Sequence, residues 1–310
     1  MSKVAIIMST YNGTKYLNQQ IDSILNQSHQ DFTLFIRDDG SQDDTLTYLQ
    51  KATTKDYRIK LVVDEPGKRN ENLGFGASFA LCMKSAMAQG RFDYFAFCDQ
   101  DDCWEEDKLK AAVAALDKED KNRPCLYACN YFICDENLHE FDKFATASPM
   151  KGVTFQNLFF EGVFPGFTMV INKTLAQLGF ENTPIGHIYY HDKWVSLIAM
   201  GLDGKVIFDK TPLARYRRHN QAASSTNLGA IAKLRWRIDT VLNGDYCPRT
   251  NQMLDSFKEF FYKDCDYDTK DFLDLFTSGA KLRKIFYPHR LRRSFSGELL
   301  LRLIILLGRI

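Results

Sequence analysis

The sequence predicts an α/β chain built on a mostly parallel, Rossmann-like central sheet with a helical C-terminal extension. Three observations predict it. Short, continuous apolar runs at Val4–Met8 and Tyr94–Cys98 have the pattern of strands buried on both faces. Strand-like and helix-like segments alternate four times within the first 117 residues, as parallel strands joined by crossover helices require. Three polar patches, Tyr11-Asn12, Asp38-Asp39 and Asp99–Asp102, sit at predicted strand ends. Open α/β sheets bind ligands beyond the carboxyl ends of their strands, so the three are expected to converge on one crevice.

Taken in order, Val4–Met8 is the first strand, and Leu17, Ile21, Ile24 and Leu25 mark the helix after it. Phe32–Ile36 alternates and then meets the turn Arg37-Asp38-Asp39-Gly40-Ser41. Asp43 or Asp44 is placed to cap the next helix, which carries Leu46 and Leu49. Lys60–Val63 is a third strand, and a helix with Phe79, Ala80, Met83 and Ala86-Met87 follows the turn Gly74-Phe75-Gly76. Tyr94–Cys98 ends at the aspartates, and a helix runs from about Glu105 to Leu116. Farther on, Leu126–Cys134, Phe167–Ile171 and Lys205–Phe208 read as strands and His191–Met200 as a helix. The chain then turns helical and charged, so the expected organisation is one domain over 1–222 and a helical, basic region over 223–310.

Composition narrows the class. The 310 residues are 45% apolar and 25% charged, an ordinary globular balance that buries a sizeable core without staples. A net charge of +1 leaves no nucleic-acid footprint on the whole molecule. The eight cysteines are scattered and form no CxxC pair, which argues for free thiols in a reducing, cytosolic compartment and against a zinc site. Only Lys3 carries charge ahead of the first apolar run, and no cleavage pattern follows it, so no secretory leader is expected.

The aspartates carry the chemistry. A sugar-nucleotide donor leaves a diphosphate that gains negative charge as its glycosidic bond breaks, and a bridging divalent cation stabilises that charge. Mg²⁺ and Mn²⁺ take oxygen ligands, usually one or two carboxylates completed by phosphates and water. Asp99 and Asp101 are two apart in extended chain, so both can face one crevice. The alternative is a solvated acidic turn, with Asp102 capping the next helix. Asp38–Thr45 reads either as a turn and helix cap or as a carboxylate bonding a base or ribose; Asn72-Leu73-Gly74 is fully explained as a helix-entry turn. His187 and His191 are four apart, but Pro184-Ile185-Gly186 argues against the helix that a zinc pair would need.

Together, Ile7-Met8-Ser9-Thr10-Tyr11-Asn12, Asp38–Thr45, Asn72-Leu73-Gly74 and Asp99-Gln100-Asp101-Asp102 resemble, in order and spacing, the family 2 glycosyltransferases, whose fold is GT-A. The resemblance covers about residues 3–220. It implies that Thr10, Tyr11, Asn12, Asp39 and Asn72 contribute to the nucleotide-sugar pocket. It also implies that Asp99 lies near the ribose and the metal, and that Asp101 is the main ligand of Mg²⁺ or Mn²⁺. It implies an inverting mechanism whose base opens a helix in the second half. Asp192 is the matching residue, with His191 standing where an acidic neighbour is usual. In Tyr216-Arg217-Arg218-His219-Asn220, His219 would meet the diphosphate or metal and Arg218 would grip phosphate, unless the segment is only a basic surface turn.

Finer similarity points to rhamnosyltransferases of bacterial surface polysaccharide assembly. It is carried by Phe97–Trp104, Pro165–Asn172, His191-Asp192-Lys193-Trp194 and Tyr216–His219. It implies dTDP-L-rhamnose as donor, a UDP-glucose or UDP-galactose enzyme being the rival and a non-catalytic sugar-nucleotide-binding assembly protein the rival from another class. Gly162 and Gly166 are expected to allow close backbone approach on the acceptor side. Residues 281–310 hold eight Lys and Arg against Glu298 alone, interleaved with apolar residues up to the run Leu299–Leu307. That run is too short to span a bilayer and is expected to lie on the inner leaflet of the cell membrane, beside a lipid-linked saccharide acceptor, or to form a core or homodimer contact.

Overall fold

The computed structural model describes residues 2–143, 150–181, 183–218 and 244–310. The described residues of 1–150 and 164–218 form one compact unit, and those of 151–163 and 219–310 form the other. The boundary expected at 222 lies outside the described residues. Within them, 151–163 belongs with the C-terminal helices.

The first unit begins with β1 (Val4–Thr10), α1 (Thr14–Leu25), β2 (Phe32–Asp38), α2 (Thr45–Lys55), β3 (Ile59–Val62), α3 (Phe75–Gln89) and β4 (Tyr94–Cys98). β1 pairs in parallel with β2 and β4, and β2 with β3. Val4 through Met8 and all of β4 are buried, as a strand covered on both faces must be. Thr10 pairs with Asp38, and Met8 with Cys98, so three strands end side by side. That alignment places Tyr11, Asp39 and Asp99 along one edge of the sheet, as expected.

β5 (Cys103–Trp104) precedes α4 (Lys108–Leu116), and β6 (Cys125–Cys134) and β7 (Glu140–Lys143) follow. In the rest of this unit a 3₁₀ turn over Gly166–Thr168 leads into β8 (Met169–Asn172), then α6 (Lys173–Phe180), α7 (His191–Gly201) and β9 (Lys205–Arg217), α5 being the one-turn helix Phe155–Leu158 of the second unit. The sheet order is β3-β2-β1-β4-β8-β6-β9-β5, with β7 on β6. β8 is antiparallel to both β4 and β6, and β6 is parallel to β9. β1–β4, β6 and β9 therefore run one way, which makes the sheet mostly parallel.

Two boundaries differ from expectation. β9 does not stop at Phe208. The turn-like Asp209-Lys210-Thr211-Pro212 is absorbed by a register shift against Asn130, where a proline costs no ladder bond. Tyr216 and Arg217 are thus strand residues and not a surface turn, and Arg217 is buried. Asp102 does not cap the following helix: α4 begins after Asp107, and β5 lies between.

The second unit packs α5 against α8 (Tyr246–Phe261) and α9 (Tyr267–Phe276). Its core is aromatic, with the Phe155 and Phe159 rings in contact with each other and with those of Phe257 and Phe272. α10 (Lys281–Ile285) and α11 (Phe295–Leu306) complete it. Among the described residues no helix is long and apolar enough to cross a membrane. All eight cysteines are buried and unbridged.

Candidate active site

The site is built where β1, β2 and β4 end. Gln100 ties two of these ends together: its Oε1 accepts from the Tyr11 amide at 2.9 Å and its Nε2 donates to the Tyr11 carbonyl at 3.0 Å. A Cβ at Gly13 would meet that side-chain amide, so any larger residue there would push Gln100 off the Tyr11 backbone. Thr10 is buried and donates to Asp38 at 3.1 Å, and Asp38 also accepts from the Ser41 amide at 3.0 Å. Asn12 has φ 49°, a left-handed value that asparagine tolerates, and its Oδ1 accepts from the Gln42 amide at 2.7 Å. Thr10 and Asn12 thus shape the loop edge, while Tyr11 leaves its ring substantially exposed.

Asp39 is more occupied than the sequence suggested. It is buried, pairs with the buried Arg37, and accepts from the amides of Leu73 at 3.0 Å and Gly74 at 2.9 Å. Arg37 also pairs with Asp64 at 2.6 Å. In this arrangement Asp39 holds the turn that contains Asn72, itself exposed, and so links the second strand end to the start of α3. Asp43, not Asp44, bonds the first amide of α2, accepting from Thr45 at 3.0 Å.

The aspartate cluster divides. Asp99 and Asp101 are half-buried, and Asp102 is buried. Burial, with the charges of Asp101 and Asp192 adding to it, pushes the Asp99 carboxyl well above the usual carboxylate range. Burial, with the charges of Asp101 and Asp99 adding to it, pushes Asp102 up as well, opposed by Arg217. Asp102 Oδ1 accepts from the Arg217 amide at 3.0 Å, and Arg217 Nε donates to the Asp101 carbonyl at 2.8 Å. The Arg217 guanidinium also lies 4.4 Å from the Tyr16 ring centroid. Arg217 therefore fixes the backbone that presents Asp101, a role the sequence reading did not assign.

Lys108 was also missed. Its ammonium is buried 3.5 Å from the Trp104 ring centroid, and burial drives it down to about 8 against the opposing charges of Cys129, Cys98 and Asp102. The available signal was spacing: Lys108, Ala112 and Leu116 recur at four residues on the buried face of α4.

Asp192 opens α7 and is half-buried. It occupies the first turn of that helix, where a carboxylate also suits the helix dipole, and its Oδ1 accepts from the Lys193 amide at 2.8 Å. After burial and Asp101, its charge is the third contribution that raises the Asp99 carboxyl, although the two residues are far apart in sequence. His191 points the other way. Its ring stacks 3.9 Å from Phe79 and lies 4.7 Å from Phe97, with neither nitrogen hydrogen-bonded. Burial drives its pKa down to about 4, so the imidazole is neutral. It does not orient Asp192 through a hydrogen bond, and it is not on a shared helix face with His187, which lies in a separate 3₁₀ turn over Ile185–His187.

Glycines set the approach of these elements. A Cβ on Gly166 would stand 2.5 Å from His191 Nε2, and one on Gly76 would collide with the carbonyls of Ile188 and Tyr189. Gly162, in the second unit, has open space and needs no glycine for packing. Arg218 donates its amide to the Cys134 carbonyl at 2.8 Å, while its Nε is buried without a hydrogen bond. His219 lies outside the described residues.

The residues fit a divalent cation. Asp99 and Asp101 supply hard oxygen donors, and a cation beside the Asp99 carboxyl would offset the burial and the neighbouring negative charge that raise it. Among the described residues no three His, Cys, Asp or Glu side chains form a complete cage, so phosphate and water oxygens would complete the shell.

Comparison with known proteins identifies a family and a fold. The model of glycosyl transferase family 2 matches residues 5–173. The chain is 28% identical over 246 residues, 77% of this chain and 80% of the relative, to the dTDP-rhamnosyl transferase RfbG of Shigella flexneri. It is 29% identical over 237 residues, 76% of this chain and 86% of the relative, to a putative teichuronic acid biosynthesis glycosyltransferase, TuaG, of Bacillus subtilis. The structure of S. aureus TarS residues 1–349 with UDP-GlcNAc matches the fold at TM-score 0.54 and 17% identity, covering 99% of this chain and 91% of that one. The sheet and its strand-end crevice are those of the GT-A fold.

Proposed function

The chain belongs to glycosyl transferase family 2, and on that premise we propose that it is an inverting rhamnosyltransferase working on a lipid-linked saccharide at the cytoplasmic face of the cell membrane, in surface polysaccharide biosynthesis. The observation that supports this reading is the alignment of the β1, β2 and β4 ends at Thr10, Asp38 and Cys98, just ahead of Asp39 and Asp99, together with Asp192 in the first turn of α7. Asp192 removes the proton from the acceptor hydroxyl as that oxygen attacks the anomeric carbon from the face opposite the diphosphate. The bond to the diphosphate breaks, and the nucleoside diphosphate leaves with the electron pair. Mg²⁺ or Mn²⁺, when bound, supplies electrostatic stabilisation of that leaving group. Asp101 is the main ligand, Asp99 assists at ribose or metal, and Thr10, Tyr11, Asn12, Asp39 and Asn72 border the nucleoside. Arg218 and His219 belong to the diphosphate side in this reading.

The rhamnose donor is supported by similarity to RfbG across most of both chains. A UDP-glucose or UDP-galactose donor is the competing assignment. Thermal-shift titration with dTDP and UDP, each with Mg²⁺ or Mn²⁺, separates them: dTDP is expected to stabilise the protein more. A donor panel with a lipid-linked acceptor, read by mass spectrometry, then tests transfer. Product from a UDP-hexose alone overturns the rhamnose assignment, and nucleotide binding without product from any donor supports the non-catalytic alternative.

A further inference from the structure

α11 is apolar on two opposite faces. Leu301, Ile304 and Ile305 are buried in the second unit, while Phe295, Leu299, Leu303, Leu306 and Leu307 are each half or more exposed. At about 100° per residue, those five side chains fall within an arc of about 120°. Of the fourteen large apolar side chains exposed among the described residues, seven lie between Leu282 and Leu307. Scattered exposed apolar residues need no explanation, but a continuous stripe does.

The charges around the stripe are selective. Arg302 is not one of its anchors: it donates to the carbonyls of Lys284, Ile285, Tyr287 and His289 and pairs with Glu298. Arg293 is taken by Glu161 at 2.8 Å, and Lys284 is buried. Arg283 and Phe286 border a cleft with Asp268 and Asp271 and are left out as well. Arg292 is half-buried with its Nε enclosed, so what remains is at the ends of the helix. Lys281 Nζ lies 3.6 Å from where a Cβ on Gly308 would stand, Arg309 is exposed beside it, and Arg290 is exposed ahead of Phe295. Glu298, the only acidic residue from 281 onward, is neutralised by Arg302 and by the amides of Leu291 and Arg292.

We infer that the Phe295–Leu307 stripe lies flat in the interface of an anionic lipid leaflet, with Lys281, Arg290 and Arg309 at headgroup level. A helix of 12 residues is about 18 Å long, well short of a bilayer core of about 30 Å, so it lies in the surface and does not span it. Pairing with a second copy through the same stripe would set the basic ends of this segment against basic ends, with only the neutralised Glu298 as a carboxylate within residues 281–310; a negatively charged surface is the complementary partner. The inference deepens the proposed membrane setting, but it does not depend on the donor or on catalysis.

Flotation of the full chain with vesicles of phosphatidylcholine and phosphatidylglycerol, two parts to one, tests it, with pure phosphatidylcholine as control. Binding to the anionic vesicles is expected, weakened by salt. Leu299→Glu with Leu303→Glu should abolish it, and Lys281→Glu with Arg309→Glu should lower it by about tenfold or more. Because all four side chains are solvent-facing, the variants should keep the wild-type melting temperature and nucleoside-diphosphate binding. Failure to float, or flotation unchanged by the double glutamate variant, overturns the inference. So does a wild-type dimer that the same variant splits without lipid being bound. Nucleotide binding fails separately if the glycosyltransferase reading is at fault.

Discussion

Asp99 is held above the usual carboxylate range by its burial first, then by the charge of Asp101 two residues on, and last by that of Asp192 in the opening turn of α7. Such mutual repulsion has a clear consequence. A group of carboxylates that share a field is relieved by a cation or by removal of one charge. Asp101→Asn should therefore leave the metal-free fold at least as stable as wild type. It should weaken cation-dependent binding of a nucleoside diphosphate by about a hundredfold, the scale of a lost cation clamp. Calorimetric titration with and without EDTA measures this. Equal affinity with and without EDTA in the wild type would contradict the metal assignment.

His191 makes stability depend on pH in a defined window. Its folded pKa is about 4, below the value of about 6.5 in the unfolded chain. The unfolded state thus binds more protons between the two values. The contribution of this residue is complete above about pH 6.5 and is lost as pH falls toward 4, up to roughly 3 kcal/mol. The groups around the ring are Phe79, Phe97, Gly166 and the carboxylate of Asp192, of which only the last is charged. His191→Phe should flatten this limb relative to wild type. Urea midpoints at pH 7 and pH 5 give the comparison.

Gly166→Ala should destabilise the chain by about 1–3 kcal/mol, because the added methyl meets an imidazole already packed between two phenyl rings. The same variant should lower turnover by displacing the start of α7. Gly162→Ala, with open space around it, is the control that should change stability little.

Asp39→Ala should cost about 3–5 kcal/mol, since it removes a partner of the buried Arg37 and two acceptors for the turn at Leu73 and Gly74. Thermal unfolding reads that loss without any ligand, which distinguishes the scaffold role of Asp39 from its proposed contact with the nucleoside.

Much of the site was legible because strand ends are marked by composition. The buried runs at Val4–Met8 and Tyr94–Cys98 placed Asp99 and Asp101, and the helix pattern from His191 placed Asp192 in a first turn. What escaped the sequence was long-range partnership. Nothing local shows that Asp209–Pro212 is absorbed by a bulge, so Arg217 read as surface while it anchors Asp101 and Asp102. Lys108 escaped for a similar reason: a lysine on a helix is ordinarily solvated, and only the packed neighbours reveal its burial. The tail showed the opposite error, because its basic residues looked alike until Arg293 and Arg302 proved to be engaged within the second unit.

The most direct test of the account is single-turnover transfer by Asp192→Asn with dTDP-rhamnose and a lipid-linked acceptor, with donor affinity measured in parallel. Transfer should fall by about 10²–10⁴-fold, the usual contribution of a positioned general base, while dTDP affinity stays at the wild-type level. Wild-type turnover in this variant would contradict the role of Asp192 and the reading of the crevice that depends on it.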